Sequence, residues 1–217
     1  MPRPSSRVAL VCFGLVAAVD LVAEFAGWPT IALVCRMLLM PLLAWCCWTA
    51  APRRTQLVIL VLVALGFSWL GDLSTAVLIK IGFFLLAQIV YVVAFRPYWR
   101  RSLIARPPLL IAYGIVIAVP IVVVAAAAGP LAASVAVYGA SLAAMAVLAT
   151  GVNRLTGAGG ALFLVSDIVL AVEIFVAPGA IPHAVFVNMA LYLPAQLMIT
   201  LGVLQRVSAE VPSRVSR

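Results

Sequence analysis

Apolar residues run along this chain in eight blocks separated by short stretches rich in Arg, Pro and Gly. A helix rises about 1.5 Å per residue, so some 20 apolar residues cover a hydrocarbon core of roughly 30 Å. Eight transmembrane helices are therefore expected, over about 8–26, 31–50, 56–73, 78–95, 109–127, 131–150, 159–177 and 184–204. The chain is apolar almost without a break from Leu57 to Phe95. One helix of that length would reach about 60 Å, twice the core, so a fold-back is expected near Ser74 to Gly82. The pattern predicts an all-α polytopic membrane helical bundle, a single transmembrane domain over residues 1–217.

Composition removes the soluble alternatives. Of 217 residues 66% are hydrophobic and only 9% charged, against about 25% charged in soluble domains. The net charge of +8 does not point to nucleic acid, because the basic residues occupy short loops rather than one amphipathic face. With eight spans, every arginine except Arg36 falls on one side (Arg3, Arg7, Arg53, Arg54, Arg96, Arg100, Arg101, Arg106, Arg154, Arg206, Arg214 and Arg217) and Lys80 alone falls on the other. That asymmetry obeys the positive-inside rule and predicts cytoplasmic termini, in a plasma membrane of bacterial type.

Against this background the acids stand out. Asp20, Glu24, Asp72, Asp167 and Glu173 all lie inside or at the ends of apolar spans. Each ionised side chain at membrane depth costs about 3 kcal/mol on insertion scales. These groups must be paired, protonated or hydrated around a polar cavity, and Arg36 is the one cation placed inside a span. Polar positions also keep helical spacing: Asn188, Tyr192 and Gln196; Ser68, Asp72 and Thr75; Gln88 and Tyr91; Asp20 and Glu24. Such stripes face the bundle interior, since lipid cannot satisfy them. By topology Asp20, Glu24, Arg36, Asp72 and Glu173 fall in the outer half and Asp167, Gln88, Tyr91 and Tyr192 nearer the middle, so a cavity opening toward the outer leaflet is expected. Each group also has a plainer role: Asn188 and Ser68 as hydrogen-bonding glue between helices, Arg36 as a structural partner of Glu24 or Asp20, Glu173 as an interfacial residue.

Cys12, Cys35, Cys46 and Cys47 form no C-x-x-C pair and have no neighbouring His, which favours structural thiols. His183 is the only histidine, which argues against a His-based metal site, and no metal or other cofactor is expected. Gly157, Gly159, Gly160 and the run Ala125 to Ala128 permit close helix contact. Leu70-Gly71-Asp72-Leu73 is faintly echoed by Val165-Ser166-Asp167-Ile168.

Several segments, taken in order, resemble the YhhN-like lysoplasmalogenases. They are Ala23-Glu24, Arg36 to Pro41, Leu70-Gly71-Asp72, Gly82-Phe83-Phe84 followed by Tyr91, Tyr138 with Met145, Gly160 to Phe163 leading to Ser166-Asp167, and Tyr192 with Ala195-Gln196. The resemblance implies hydrolysis of the vinyl ether bond of a lysoplasmalogen to a fatty aldehyde and a glycerophospho-alcohol. That chemistry needs an acid, a base and one water, and two carboxylates in different surroundings divide those roles. Asp167, the deeper acid by position, is assigned the proton donor and Asp72 the water-activating base; the reverse assignment suits the same residues. Tyr91, Tyr138, Tyr192 and Gln196 would orient substrate or water, with Ser166, Asn188 and Gln88 in support. Glu24 would support the charge network, and Arg36 would hold the substrate phosphate, for which a forked guanidinium is suited. The chain departs from several relatives in carrying Gln88 where they have His. The expected partners are a lysophospholipid and the surrounding lipids, with no obligate protein partner. Two other classes use the same acids: a proton-coupled transporter, and a non-catalytic lipid-binding protein.

Overall fold

The computed structural model describes residues 4–210, with the side chain of residue 112 excepted. Arg3, Arg214 and Arg217 of the charge argument lie outside the described residues. The described chain is helical throughout, with no strand, and has eight helices long and apolar enough to cross a membrane. They are α1 (Pro4–Ala26), α2 (Pro29–Ala50), α3 (Gln56–Leu73), α4 (Val77–Phe95), α5 (Pro107–Ala127), α6 (Ala132–Val152), α7 (Arg154–Ala171) and α8 (Ala184–Ala209).

Local chemistry sets the ends of these helices. Pro29 and Pro107 occupy first-turn positions, where the missing N–H costs nothing. Thr55 accepts from Val58 N at the start of α3, and Asn153 accepts from Thr156 N at the start of α7. Gly27, at φ 71°, makes the left-handed turn between α1 and α2. The fold-back between α3 and α4 is tighter than expected. It takes only residues 74–76, with the Ser74 hydroxyl donating to the Leu70 carbonyl at 2.6 Å, so α4 already begins at Val77. The fourth helix thus starts within one residue of its expected bound at 78, and Val77 to Gly82 are helical. Lys80 consequently stands inside a span.

Successive helices pack as neighbours: α1 with α2, α3 with α4, and above all α7 with α8. Gly159 makes that last approach possible. A Cβ there would lie 2.8 Å from the Ala195 carbonyl oxygen of α8. One buried apolar core draws residues from all eight helices, from Phe13 on α1 to Val207 on α8. Helix α5 is peripheral, with Ile111, Ile115, Val116, Val119 and Val122 exposed, as suits a lipid-facing element. The arginine-rich connections α2–α3, α4–α5 and α6–α7 share one end of the bundle. The connections α1–α2, α3–α4, α5–α6 and α7–α8 share the other.

Candidate functional site

The fold gathers the intramembrane acids near this second end. Asp72 and Asp167 line one cavity of about 150 Å³ together with Arg36, Tyr138, Asn188 and Tyr192. Much of the remaining wall is apolar, including Ile81, Phe84, Leu170, Phe175 and Met189. A second, narrower slot of about 40 Å³ adjoins it between α5, α6 and α7. The two share Val135, Tyr138, Asp167 and Ala171, and the slot runs on along Ile121, Leu142 and Leu164. Asp167 therefore stands where a polar chamber meets an apolar channel.

Each aspartate is held by a tyrosine from another helix. The Tyr192 hydroxyl donates to Asp72 Oδ2 at 2.9 Å, and the Tyr138 hydroxyl donates to Asp167 Oδ2. The ring of Tyr192 is fixed edge-on by Phe163 at 5.3 Å and Phe84 at 6.0 Å between centroids. Phe84 reaches that position because residue 71 is glycine: a Cβ on Gly71 would meet the Phe84 ring at 2.8 Å. The family-like Gly71-Asp72 pair thus carries both a carboxylate and the space that aligns its partner.

Behind Asp72 runs a buried relay. Tyr91 donates to Gln196 Oε1 at 2.7 Å. Gln196 Nε2 donates to Ser68 Oγ at 3.0 Å and to the Tyr192 hydroxyl at 3.4 Å. The relay then continues from Tyr192 to Asp72. Behind Asp167 the support is thinner. Ser166 Oγ donates to the Phe163 carbonyl at 2.7 Å and lies 3.4 Å from Asp167 Oδ1, while Asn188 Nδ2 donates to the Ser166 carbonyl at 2.8 Å. Gln88 is fully buried and its amide approaches the Tyr138 hydroxyl, but neither amide atom makes a well-formed hydrogen bond among the described residues.

The expected residues thus separate into two layers. Arg36, Asp72, Tyr138, Asp167, Asn188 and Tyr192 face the cavity. Gln88, Tyr91, Ser166 and Gln196 do not line it and stand behind those that do. Glu24 does not line it either, but pairs with Arg36 Nη2 across α1 and α2. Asp20 is fully buried, beside Arg36 and Glu24, and neither carboxylate oxygen has a hydrogen-bond partner among the described residues.

Two expectations need correction. Arg36 is not the only cation inside a span: Lys80, counted as a loop residue, lines the cavity from the first turns of α4. Glu173 takes no part in the cavity. Its two oxygens accept from Gly179 N at 2.6 Å and Ile181 N at 3.2 Å, which ties the irregular end of α7, a π-helical turn over Val172–Val176, to the following loop. The two acids also differ in exposure. Asp72 is 8% exposed, whereas Asp167 is half-buried, because the cavities open onto it.

No three His, Cys, Asp or Glu side chains converge as a metal-ligand group among the described residues. The four cysteines are free thiols.

This architecture defines a polytopic helical membrane protein with a carboxylate-lined chamber near one end. The chain belongs to the YhhN family, whose family model matches residues 31–203. No curated protein and no solved structure matches it significantly. The matched segment spans α2 to most of α8, and so includes Asp72, Asp167 and their tyrosines but not α1.

Proposed function

We propose that this protein is a membrane-embedded hydrolase that cleaves the vinyl ether bond of lysoplasmalogen-type lysophospholipids, working from the outer leaflet of a bacterial-type plasma membrane. One observation carries the reading: two aspartates on different helices, each held by a tyrosine hydroxyl, face a single chamber, and an apolar slot adjoins it at Asp167. A chamber of about 150 Å³ is smaller than drug-sized pockets of roughly 300 Å³ and upward. It holds the reacting segment of a lipid and not the whole molecule. The alkenyl chain enters the slot past Asp167, and the headgroup remains on the side of Asp72.

That orientation supports the division of labour. Asp167 gives its proton to the chain-side carbon of the double bond, which leaves an oxocarbenium ion at the carbon bearing the ether oxygen. Water attacks that carbon and loses its proton to Asp72, forming a hemiacetal. Asp167 then takes the hemiacetal hydroxyl proton while Asp72 protonates the departing glycerol oxygen. The carbon–oxygen bond breaks, aldehyde and glycerophospho-alcohol leave, and both acids return to their starting states. One water is consumed.

Donor direction fits these roles. Tyr91 commits the Gln196 carbonyl oxygen as an acceptor, so the Gln196 amide must donate, and Tyr192 is left to spend its hydrogen on Asp72. A carboxylate that only accepts suits the base. At Asp167 the Ser166 hydroxyl spends its one hydrogen on the shorter contact to Phe163, which leaves its oxygen to accept from a protonated carboxyl. That suits the acid.

The test is to incubate detergent-purified protein with a vinyl-ether lysophospholipid and with the matching ester, and to measure aldehyde and fatty acid by mass spectrometry. Aldehyde from the vinyl ether alone is expected. Fatty acid from the ester would redirect the reading to a lysophospholipase. No product from either, in folded protein, would overturn hydrolysis and favour transport or lipid binding, which solute accumulation in proteoliposomes separates.

A further inference from the structure

Two charges in the chamber have no part in the acid–base scheme. Lys80 projects into it from α4, half-buried, and its ammonium makes no salt bridge or hydrogen bond with another described residue. Arg36 lines the same chamber from α2. Glu24 engages its Nη2, but its Nε is buried with no partner among the described residues. Two half-buried cations with unspent donors favour an anion that accepts from them. The surroundings favour an anion as well. Thr75 and Val77 line the same chamber, and α4 starts beside it with no side-chain cap, which leaves its first-turn amides without an intrahelical partner at the positive end of the helix.

The chamber is therefore polarised along its length. One end is apolar, where the slot meets Asp167; the other carries Lys80, Arg36, Thr75 and the start of α4. We propose that Lys80 and Arg36 form an anion subsite that takes the phosphate of the lysolipid, with Lys80 determining specificity for phosphate-bearing over neutral ether lipids. Glu24 acts as a positioning residue, holding the guanidinium so that its remaining donors face the chamber. The subsite rests on the lipid reading above, and it adds polarity: phosphate at the α4 corner, alkenyl chain past Asp167, and the ether oxygen between the two carboxylates. The competing role for Lys80 is as a simple counter-charge to Asp72, which lies within its electrostatic reach. That role is blind to what the substrate carries.

The experiment compares a vinyl-ether lysophospholipid with the corresponding vinyl-ether glycerol, which lacks phosphate, in wild type, Lys80→Met and Lys80→Arg. Charge-assisted hydrogen bonds of ordinary strength predict that Lys80→Met raises KM for the phospholipid about tenfold to a hundredfold, with kcat little changed. The neutral substrate should be unaffected, and Lys80→Arg should retain most of the phospholipid preference. Equal losses on both substrates, or none on either, overturn the subsite. A binding arm separates its failure from failure of the hydrolase reading. A non-cleavable alkyl-ether lysophospholipid should raise the melting temperature of the wild-type protein more than the alkylglycerol does, and Lys80→Met should erase that difference even if no lipid is turned over. No difference in the wild type overturns the subsite. Inorganic phosphate that stabilises as well as the lipid would assign the site to a free anion and overturn the lipid assignment.

Discussion

Asp72 is held from behind by a relay of buried side chains on two helices, Tyr91 of α4 with Gln196 and Tyr192 of α8, whereas Asp167 has Tyr138 and a serine whose hydroxyl hydrogen goes to the backbone. Both face one chamber, yet only Asp167 also meets the apolar slot, and it is the more exposed of the two. The contrast teaches how a membrane interior built from few polar residues can give two identical side chains different work. A fixed donor network defines the group that accepts, and an open approach defines the group that must reach the substrate.

The hardest blow to this comparison is removal of the acids themselves. Asp72→Asn and Asp167→Asn are each expected to lower aldehyde release by about 10³-fold or more, within the range typical of lost acid–base catalysis, while the melting temperature in detergent is kept. Wild-type-like turnover in either variant would strike that residue from the mechanism. Next come the tyrosines. Tyr192→Phe leaves Asp72 without its hydrogen bond and is expected to cost about 10- to 100-fold in kcat, consistent with loss of a hydrogen bond to a charged group. Tyr138→Phe should cost less if Asp167 works as a protonated acid. Equal losses would dissolve the asymmetry.

Much of the comparison was legible from the chain. Eight apolar blocks foretold eight helices, most of them to within about four residues, because bilayer thickness leaves little freedom in span length; α7 and α8 depart further at one or both ends. The stripe Asn188, Tyr192 and Gln196 was visible as i, i+4 spacing, and the acids were conspicuous where lipid would exclude them. What escaped was relational. Nothing in the spacing pairs Tyr138 of α6 with Asp167 of α7, or Tyr91 of α4 with Gln196 of α8, since those meetings depend on helix packing. Lys80 escaped in the same way. It falls within the expected fourth span, 78–95, yet was counted with the external charges, and spacing alone does not show that it faces the chamber shared with Arg36.

A subtler probe asks whether the relay behind Asp72 acts as a unit. Gln196→Leu should lower kcat by about tenfold, and the double variant with Tyr192→Phe should lose little beyond Tyr192→Phe alone, a coupling of about 1 kcal/mol or more. Additive losses would mean that the amide orients nothing. The smallest effect is expected from giving the Asp167 side what the Asp72 side has. Gln88→His places a group that can bond Tyr138 where neither amide atom now makes a well-formed hydrogen bond among the described residues, and it is expected to raise turnover by about two- to fivefold, a small share of what acid–base groups contribute. A fall in rate would show that Gln88 is tuned to this chamber.

The placement of Asp167 on a rigid helix, between chamber and slot, carries a stereochemical consequence. A lipid threaded with its chain in the slot presents one face of its double bond to that carboxyl. In heavy water the proton delivered to carbon is a deuteron, so the aldehyde should carry one deuterium on the carbon next to the carbonyl, in one of two mirror-related positions. Reduced in situ to the alcohol before enolisation scrambles the label, the product would be chiral only by isotope, and its handedness would record the side from which Asp167 reached it.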